Sequence, residues 1–207
     1  MLTFPLSLAQ FWDRLPIADL SFDLGEALAQ SRTGGGGILT ADLADRLWGG
    51  TVTLGRITYA EASEVEVLIS VLRQAGRSFR AHDIRRPECR VAPIPGGASP
   101  VVGAGGVTAR TLAVAGLPVG FVLSPGDHMG LGSMLHRIVT GGAANGSGQI
   151  AEVEVEPAIL PGPGVGDPLV LSRASITATY VADSFDPGIS RRGIVDGLKF
   201  SFVERFA

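Results

Sequence analysis

Between residues 18 and 28 apolar and polar side chains alternate: Leu20, Phe22 and Leu24 take one face, Ser21 and Asp23 the other. A period of two predicts a half-buried strand. The alternation returns over residues 51–59, with Val52, Leu54 and Ile57 set against Thr51, Thr53 and Arg56. Gly55 interrupts it and predicts a bulge. Between the two stretches lie four consecutive glycines, Gly34, Gly35, Gly36 and Gly37, and a second turn signal at Gly49 and Gly50. The pattern predicts a long hairpin whose connection is glycine-rich and partly irregular.

The period then changes. Thr58 and Glu61 have the spacing of a capping box. Ala62, Val65, Leu68, Ile69 and Leu72 follow as one stripe at helical spacing, and Gly76 is expected to close the helix as its C′ residue. A shorter helix is predicted over residues 8–15, capped by Ser7 and ended by Pro16. Further strand signals fall at 78–84, 112–117, 121–123, 135–139, 149–156, 169–182 and 197–206. Proline and glycine crowd residues 90–110 and 161–168, which read as boundaries. The expectation is a mainly β fold with one flanking α-helix: residues 1–89 plus 169–207 form one β domain, and 90–168 form an inserted small β-barrel.

Composition sharpens this. The 207 residues include 29 glycines and 13 prolines, so turns are many and long helices few. Only 18% are charged and mean hydropathy is +0.31, as in a β-rich chain with a large core or one that covers its surface with partners. A net charge of −3 argues against reading nucleic acid by sequence, which needs a basic face. Cys89 is the only cysteine and has no internal disulfide partner. The first residues lack a basic leader, and Gln10 and Asp13 break their apolar run, so neither a signal peptide nor a membrane insertion is expected. Asn145-Gly146-Ser147 fits a glycosylation sequon but reads as a turn.

No catalytic constellation emerges. The glycine run lacks the lysine of a phosphate-binding loop: Ile38, Leu39 and Thr40 follow it. His82, His128 and His136 have no metal-ligand spacing, so neither metal nor cofactor is expected. Asp127-His128 follows Pro125-Gly126 and reads as turn chemistry. Ser133 lacks the flanking glycines of a nucleophile elbow. Glu152, Glu154 and Glu156 share one strand face, the pattern of a solvated surface. Phe4, Phe11, Trp12, Trp48, Phe200, Phe202 and Phe206 cluster toward the two ends of the chain. They are either core or the anchors of a subunit interface.

Several stretches carry a resemblance: "FPLSLAQFWDRLPIADLSFDL", "SRTGGGGILTADLADRLWGGTVTLGRI", "EVLISVLRQAGRSFRAHDIRRP" and "LAVAGLPVGFVLSPGDHMGL". The chain resembles distal tail proteins of tailed phages and gene-transfer-agent-like particles. The resemblance implies a structural, non-enzymatic virion subunit at the distal end of the tail. Its tail-tube-like β-barrel or sandwich domain would form a ring of six copies. The partners implied are further copies of itself, the tail tube protein and the tail-tip hub protein, with DNA only as cargo through the lumen. Phe4, Phe11, Trp12, Gly34, Gly35, Gly36, Gly37, Trp48, Phe200 and Phe202 are then the expected inter-subunit interface, with the glycine loop disordered until a neighbour orders it. Asp42, Asp45 and the glutamate row are possible channel-facing acids. A tail-tube or tail-terminator subunit and a carbohydrate-binding β module are the alternatives.

Overall fold

The computed structural model describes residues 2–206, apart from the side chain of Asp42. The fold is mainly β with one α-helix among the described residues. The first strands are β1 (Ile17–Leu24), β2 (Leu28–Arg32), β3 (Ile38–Asp42), β4 (Trp48–Leu54) and β5 (Ile57–Thr58), which leads into helix α1 (Tyr59–Leu72) and then β6 (Phe79–Ala81). A second group runs through β7 (Val101–Val107), β8 (Thr111–Ala115), β9 (Val122–Leu123), β10 (His128–Leu131), β11 (Met134–Thr140), β12 (Gly142–Ala143), β13 (Ile150–Glu156) and β14 (Leu169–Val170). The chain ends with β15 (Ile176–Tyr180), β16 (Ile189–Arg191), β17 (Ile194–Asp196) and β18 (Lys199–Glu204).

The two alternating stretches of the sequence pair as β1 and β4, antiparallel, within a sheet of order β1-β4-β18-β15-β6. Their period of two puts Leu20, Phe22, Leu24, Val52 and Leu54 on one face with Phe200 and Phe202 of β18. That face packs against Phe11, Trp12, Phe79 and helix α1. The aromatic rings interlock edge-on: Phe11 and Phe79 are 4.8 Å apart between centroids, and Trp12 and Phe202 are 5.4 Å apart. Gly50 is required where β1 and β18 close on β4, because a Cβ there would collide with the Ser21 carbonyl.

Three local expectations change. The helix expected over residues 8–15 is instead two 3-10 turns, Leu8–Gln10 and Trp12–Arg14, although Ser7 and Gln10 do form a reciprocal cap. Phe11 and Trp12 are adjacent in sequence and both are buried. The break at Phe11 (φ −134°, ψ −68°) lets both enter the core. The register slip of the β1–β4 pair lies between Ile17 and Asp19, while Gly55 ends β4 and donates its N–H to Pro16. Helix α1 starts at the expected Thr58–Glu61 box and buries Ala62, Val65, Ile69 and Leu72. It stops at an Arg73 cap, with Gly76 (φ +80°) in the turn beyond.

The second group curls into a six-stranded antiparallel barrel of order β14-β10-β11-β13-β8-β7. Its ends are zipped together: Val102 N–H donates to Asp167, Gly166 N–H to Val102 and Leu169 N–H to Pro100, each at 2.9 Å. The interior is a separate core built on Leu112, Val114, Met129, Leu131, Ile138, Val153, Val155 and Leu169. The strand expected over 169–182 is split between the two bodies. Leu169 and Val170 complete the barrel, Ile176–Tyr180 joins the larger sheet, and Arg173 (φ +49°) turns the chain between them.

Candidate functional site

The glycine run lies at the tip of a projecting arm. β2 and β3 pair only with each other, from Leu28 opposite Asp42 to Arg32 opposite Ile38. Thr33 closes the tip: its N–H donates to Gly37 C=O at 2.9 Å, and its hydroxyl accepts from Gly37 N–H at 3.0 Å. The expected glycine loop is therefore a hydrogen-bonded turn on a hairpin of its own, set inside the connection between β1 and β4. Leu28 (48% exposed), Ile38 (60%), Leu39 (63%) and Leu43 (71%) have no core beneath them. Both outer edges of the arm carry unpaired backbone groups, the template on which another strand adds.

The arm's root is held firmly. Leu43 N–H donates to Ala27 C=O at 2.8 Å. The Arg46 guanidinium donates to the Gly25 carbonyl at 2.9 Å, the Leu24 carbonyl at 3.2 Å and the Glu156 carboxylate at 3.2 Å. Glu156 also accepts from Arg137 Nε at 2.9 Å, and Arg137 lies over the Trp48 ring at 5.6 Å. One carboxylate of the barrel thus ties the arm's root to the seam between barrel and sheet. A groove of about 620 Å³ runs between that root and the barrel, past Glu26, Leu28, Leu43, Asp45, Arg110 and Pro157.

Trp48 is the centre of the seam. Its indole N–H donates to the Leu135 carbonyl at 2.7 Å, and its backbone N–H to Glu204 Oε2 at 3.1 Å. His128 packs edge-on against its ring at 5.3 Å. Glu204 is buried with Oε1 unpartnered, and burial pushes its carboxyl up to about 7 against backbone hydrogen bonds that pull it down. Burial likewise pushes His128 down to about 4, and it lowers His82 and His136.

The expected interface residues divide sharply. Phe11, Trp12, Trp48, Phe200 and Phe202 are all buried in the chain's own core, each no more than 2% exposed, so they are corrected from surface anchors to core. The reason is the pleat: residues on alternate positions of β4 and β18 face α1 and the N-terminal turns. Phe4 is half-buried, with the Arg77 guanidinium over its ring at 4.3 Å. Gly34, Gly35, Gly36 and Gly37 are exposed at the arm's tip. The glutamate row also separates: Glu156 is the seam anchor, Glu154 accepts from Thr140, and Glu152 is exposed. Asp45 is exposed beside the arm's root, and the side chain of Asp42 lies outside the described residues. Asp127 caps its turn, accepting from Ser124 N–H and Arg90 N–H at 2.8 Å each.

Sequence reasoning missed the hairpin β16–β17. Its turn carries Arg192 (φ +45°) and Gly193 (φ +86°), both left-handed, as a two-residue hairpin turn requires. Its outward face carries Ile189, Arg191, Ile194 and Asp196, which with Arg56 line a groove of about 400 Å³. The signal was present as Arg191-Arg192-Gly193 between short apolar residues, but strands of three residues show little periodicity. Among the described residues there is no group of three His, Cys, Asp or Glu side chains placed to hold a metal ion, and no helix long and apolar enough to cross a membrane. No protein-family model matches the chain, and no curated protein matches it.

Proposed function

We propose that the chain is a structural subunit of a phage-type tail: a distal tail protein, six copies of which close into a ring. The ring joins the tail tube to the tail-tip hub and lets DNA pass through its centre. The observation that carries this reading is the arm. A two-stranded hairpin is marginal in water by itself, and this one exposes Leu28, Ile38, Leu39 and Leu43 with both edges unpaired. A neighbouring copy would cover those side chains and pair those edges. Closed rings need two different faces that fit each other, and an arm reaching away from the body supplies one.

The solvent face of the larger sheet supports the same reading. Ser21, Thr51, Thr53 and Ser201 line it beside Asp19 and Asp23. Thr51 and Ser201 share a hydrogen bond at 2.8 Å. The one cation on β1, β4 and β18 themselves is Lys199, held by Asp186 at 3.2 Å, while Arg137 of the barrel reaches Asp23 at 3.5 Å. A polyanion would meet hydroxyls and carboxylates there, with few cations to grip its phosphates. The carbohydrate-binding alternative loses its platform, since Phe121, the one aromatic of residues 90–168, is buried. Gold-labelled antibody on intact particles tests the assignment. Label confined to the distal tip is expected. Label along the tail's length would transfer the chain to the tube or terminator.

A further inference from the structure

Most sheet edges of this chain are already covered. The outer edge of β6 is paired through Leu6, whose N–H donates to Ser78 and whose carbonyl accepts from Arg80. Along the C-terminal half of β1, side chains occupy the edge: Arg85 donates to Phe22 C=O, Arg46 to Leu24 C=O, and the Asp23 carboxylate accepts from Leu24 N–H. The barrel closes on itself through Val102 and Asp167. The pair β9–β12 is only two residues long on each strand. Short stretches of β1 before Ser21 and of β7 beyond Val102 stay open; among the described residues, the arm and the outer edge of β16 are open over whole strands of three residues or more, and Ile189, Ser190 and Arg191 are all exposed.

The charges at the arm's root and on β16 differ in sign, although Arg110 lines the same groove as Glu26 and Asp45 and Arg32 lies at the far end of β2. Glu26 and Asp45 are exposed beside the arm's root, and no cation lies within ion-pair distance of either among the described residues. Arg191 and Arg192 are exposed on β16 and its turn, and among the described residues no carboxylate lies within ion-pair distance of them; the neighbouring Arg56 and Lys199 are already held by Asp196 and Asp186. Arg192 also occupies a left-handed position where Asn, Asp or Gly is the favoured residue.

We infer that β16 of one copy adds antiparallel to β2 of its neighbour, with Arg191 and Arg192 seated against Glu26 and Asp45 at the arm's root. The direction follows from the strands: only an antiparallel approach to β2 brings the Arg191 end of β16 beside Leu28 and the root. Main-chain hydrogen bonds would supply the adhesion and the charges the register. Ile189 would then share a face with the arm's exposed Leu28, with Ile38 and Ile194 one strand further out on either side of that face. The contact is head-to-tail and can therefore repeat around a ring; it rests on the ring reading above.

The test uses the full chain. Arg191 opposite Leu28 places Ser190 opposite Ala29, so in an Ala29→Cys, Ser190→Cys variant oxidation should yield a ladder of disulfide-linked multimers. Cys89 does not compete, being buried with its thiol pushed up to about 12 by burial. Separately, Arg191→Glu with Arg192→Glu should weaken association at least about 10-fold. Glu26→Lys with Asp45→Lys should do the same, and the chain carrying all four changes should recover association. If the native chain forms a ring while no ladder appears, or while the fourfold change does not rescue, this contact is wrong and the ring stands. A native chain that is monomeric at every concentration overturns both.

Discussion

The indole N–H of Trp48, a residue of the larger sheet, donates to the carbonyl of Leu135, a residue of the barrel, at 2.7 Å. The two bodies have separate cores, yet this bond is buried and its donor sits among Phe22, His128 and the Arg137 guanidinium. Trp48→Phe keeps most of the packing and leaves the Leu135 carbonyl unpaired, so it should cost about 1–3 kcal/mol. Trp48→Ala adds a cavity and should cost about 3–5 kcal/mol. Urea unfolding followed by circular dichroism checks both, with the larger loss expected for Trp48→Ala.

The seam should also make stability respond to pH in a defined way. The folded-state pKa of Glu204, about 7, lies above its ordinary 4.5. Its neutral form therefore contributes stability that is complete below pH 4.5 and lost as pH rises through 7. His128 is depressed from 6.5 to about 4, so its contribution is complete above 6.5 and lost as pH falls through 4. The two slopes oppose each other between pH 4.5 and 6.5. Relative to the native chain, Glu204→Gln should gain stability as pH rises from 4.5 to 7, by roughly 3 kcal/mol at the top. His128→Gln should differ in the reverse sense, gaining as pH falls from 6.5 to 4. Chemical denaturation at a series of pH values reads both, and parallel curves for variant and native chain would contradict the burial argument.

Arg46 and Glu156 predict how the arm is held. Arg46→Ala removes three contacts at the root, to Gly25, Leu24 and Glu156. Hydrogen exchange at Ala27 and Leu43 should quicken by about 10-fold or more, while amides of β10 and β13 inside the barrel keep their protection. Uniform loss of protection would mean that Arg46 supports the whole fold instead of the arm.

How much of this was legible in the sequence follows from what each element packs against. β1, β4 and α1 were readable because one face of each is buried and the other is wet, which stamps a period on the residues. The Thr58–Glu61 cap was readable because its partners are close in sequence. The arm was not, because both its faces are exposed and Leu28, Gln30 and Thr40 show no alternation of burial. The aromatics were ambiguous for a different reason. Period marks which residues share a face but not whether that face meets the chain's own helix or another copy; Trp48 and Phe202 proved to face inward. Arg46 and Glu156 are 110 residues apart, and a long-range ion pair leaves no local pattern.

In the proposed ring the arm is completed by another copy of the chain. Sedimentation of the isolated protein, native beside Leu39→Asp, tests it most directly, because Leu39 is exposed and its replacement leaves the folded core intact. The native chain should associate with rising concentration into one closed species, and Leu39→Asp should stay at the 21.4 kDa of a single chain. A native protein that sediments as a single chain at every concentration, indistinguishable from Leu39→Asp, would contradict it.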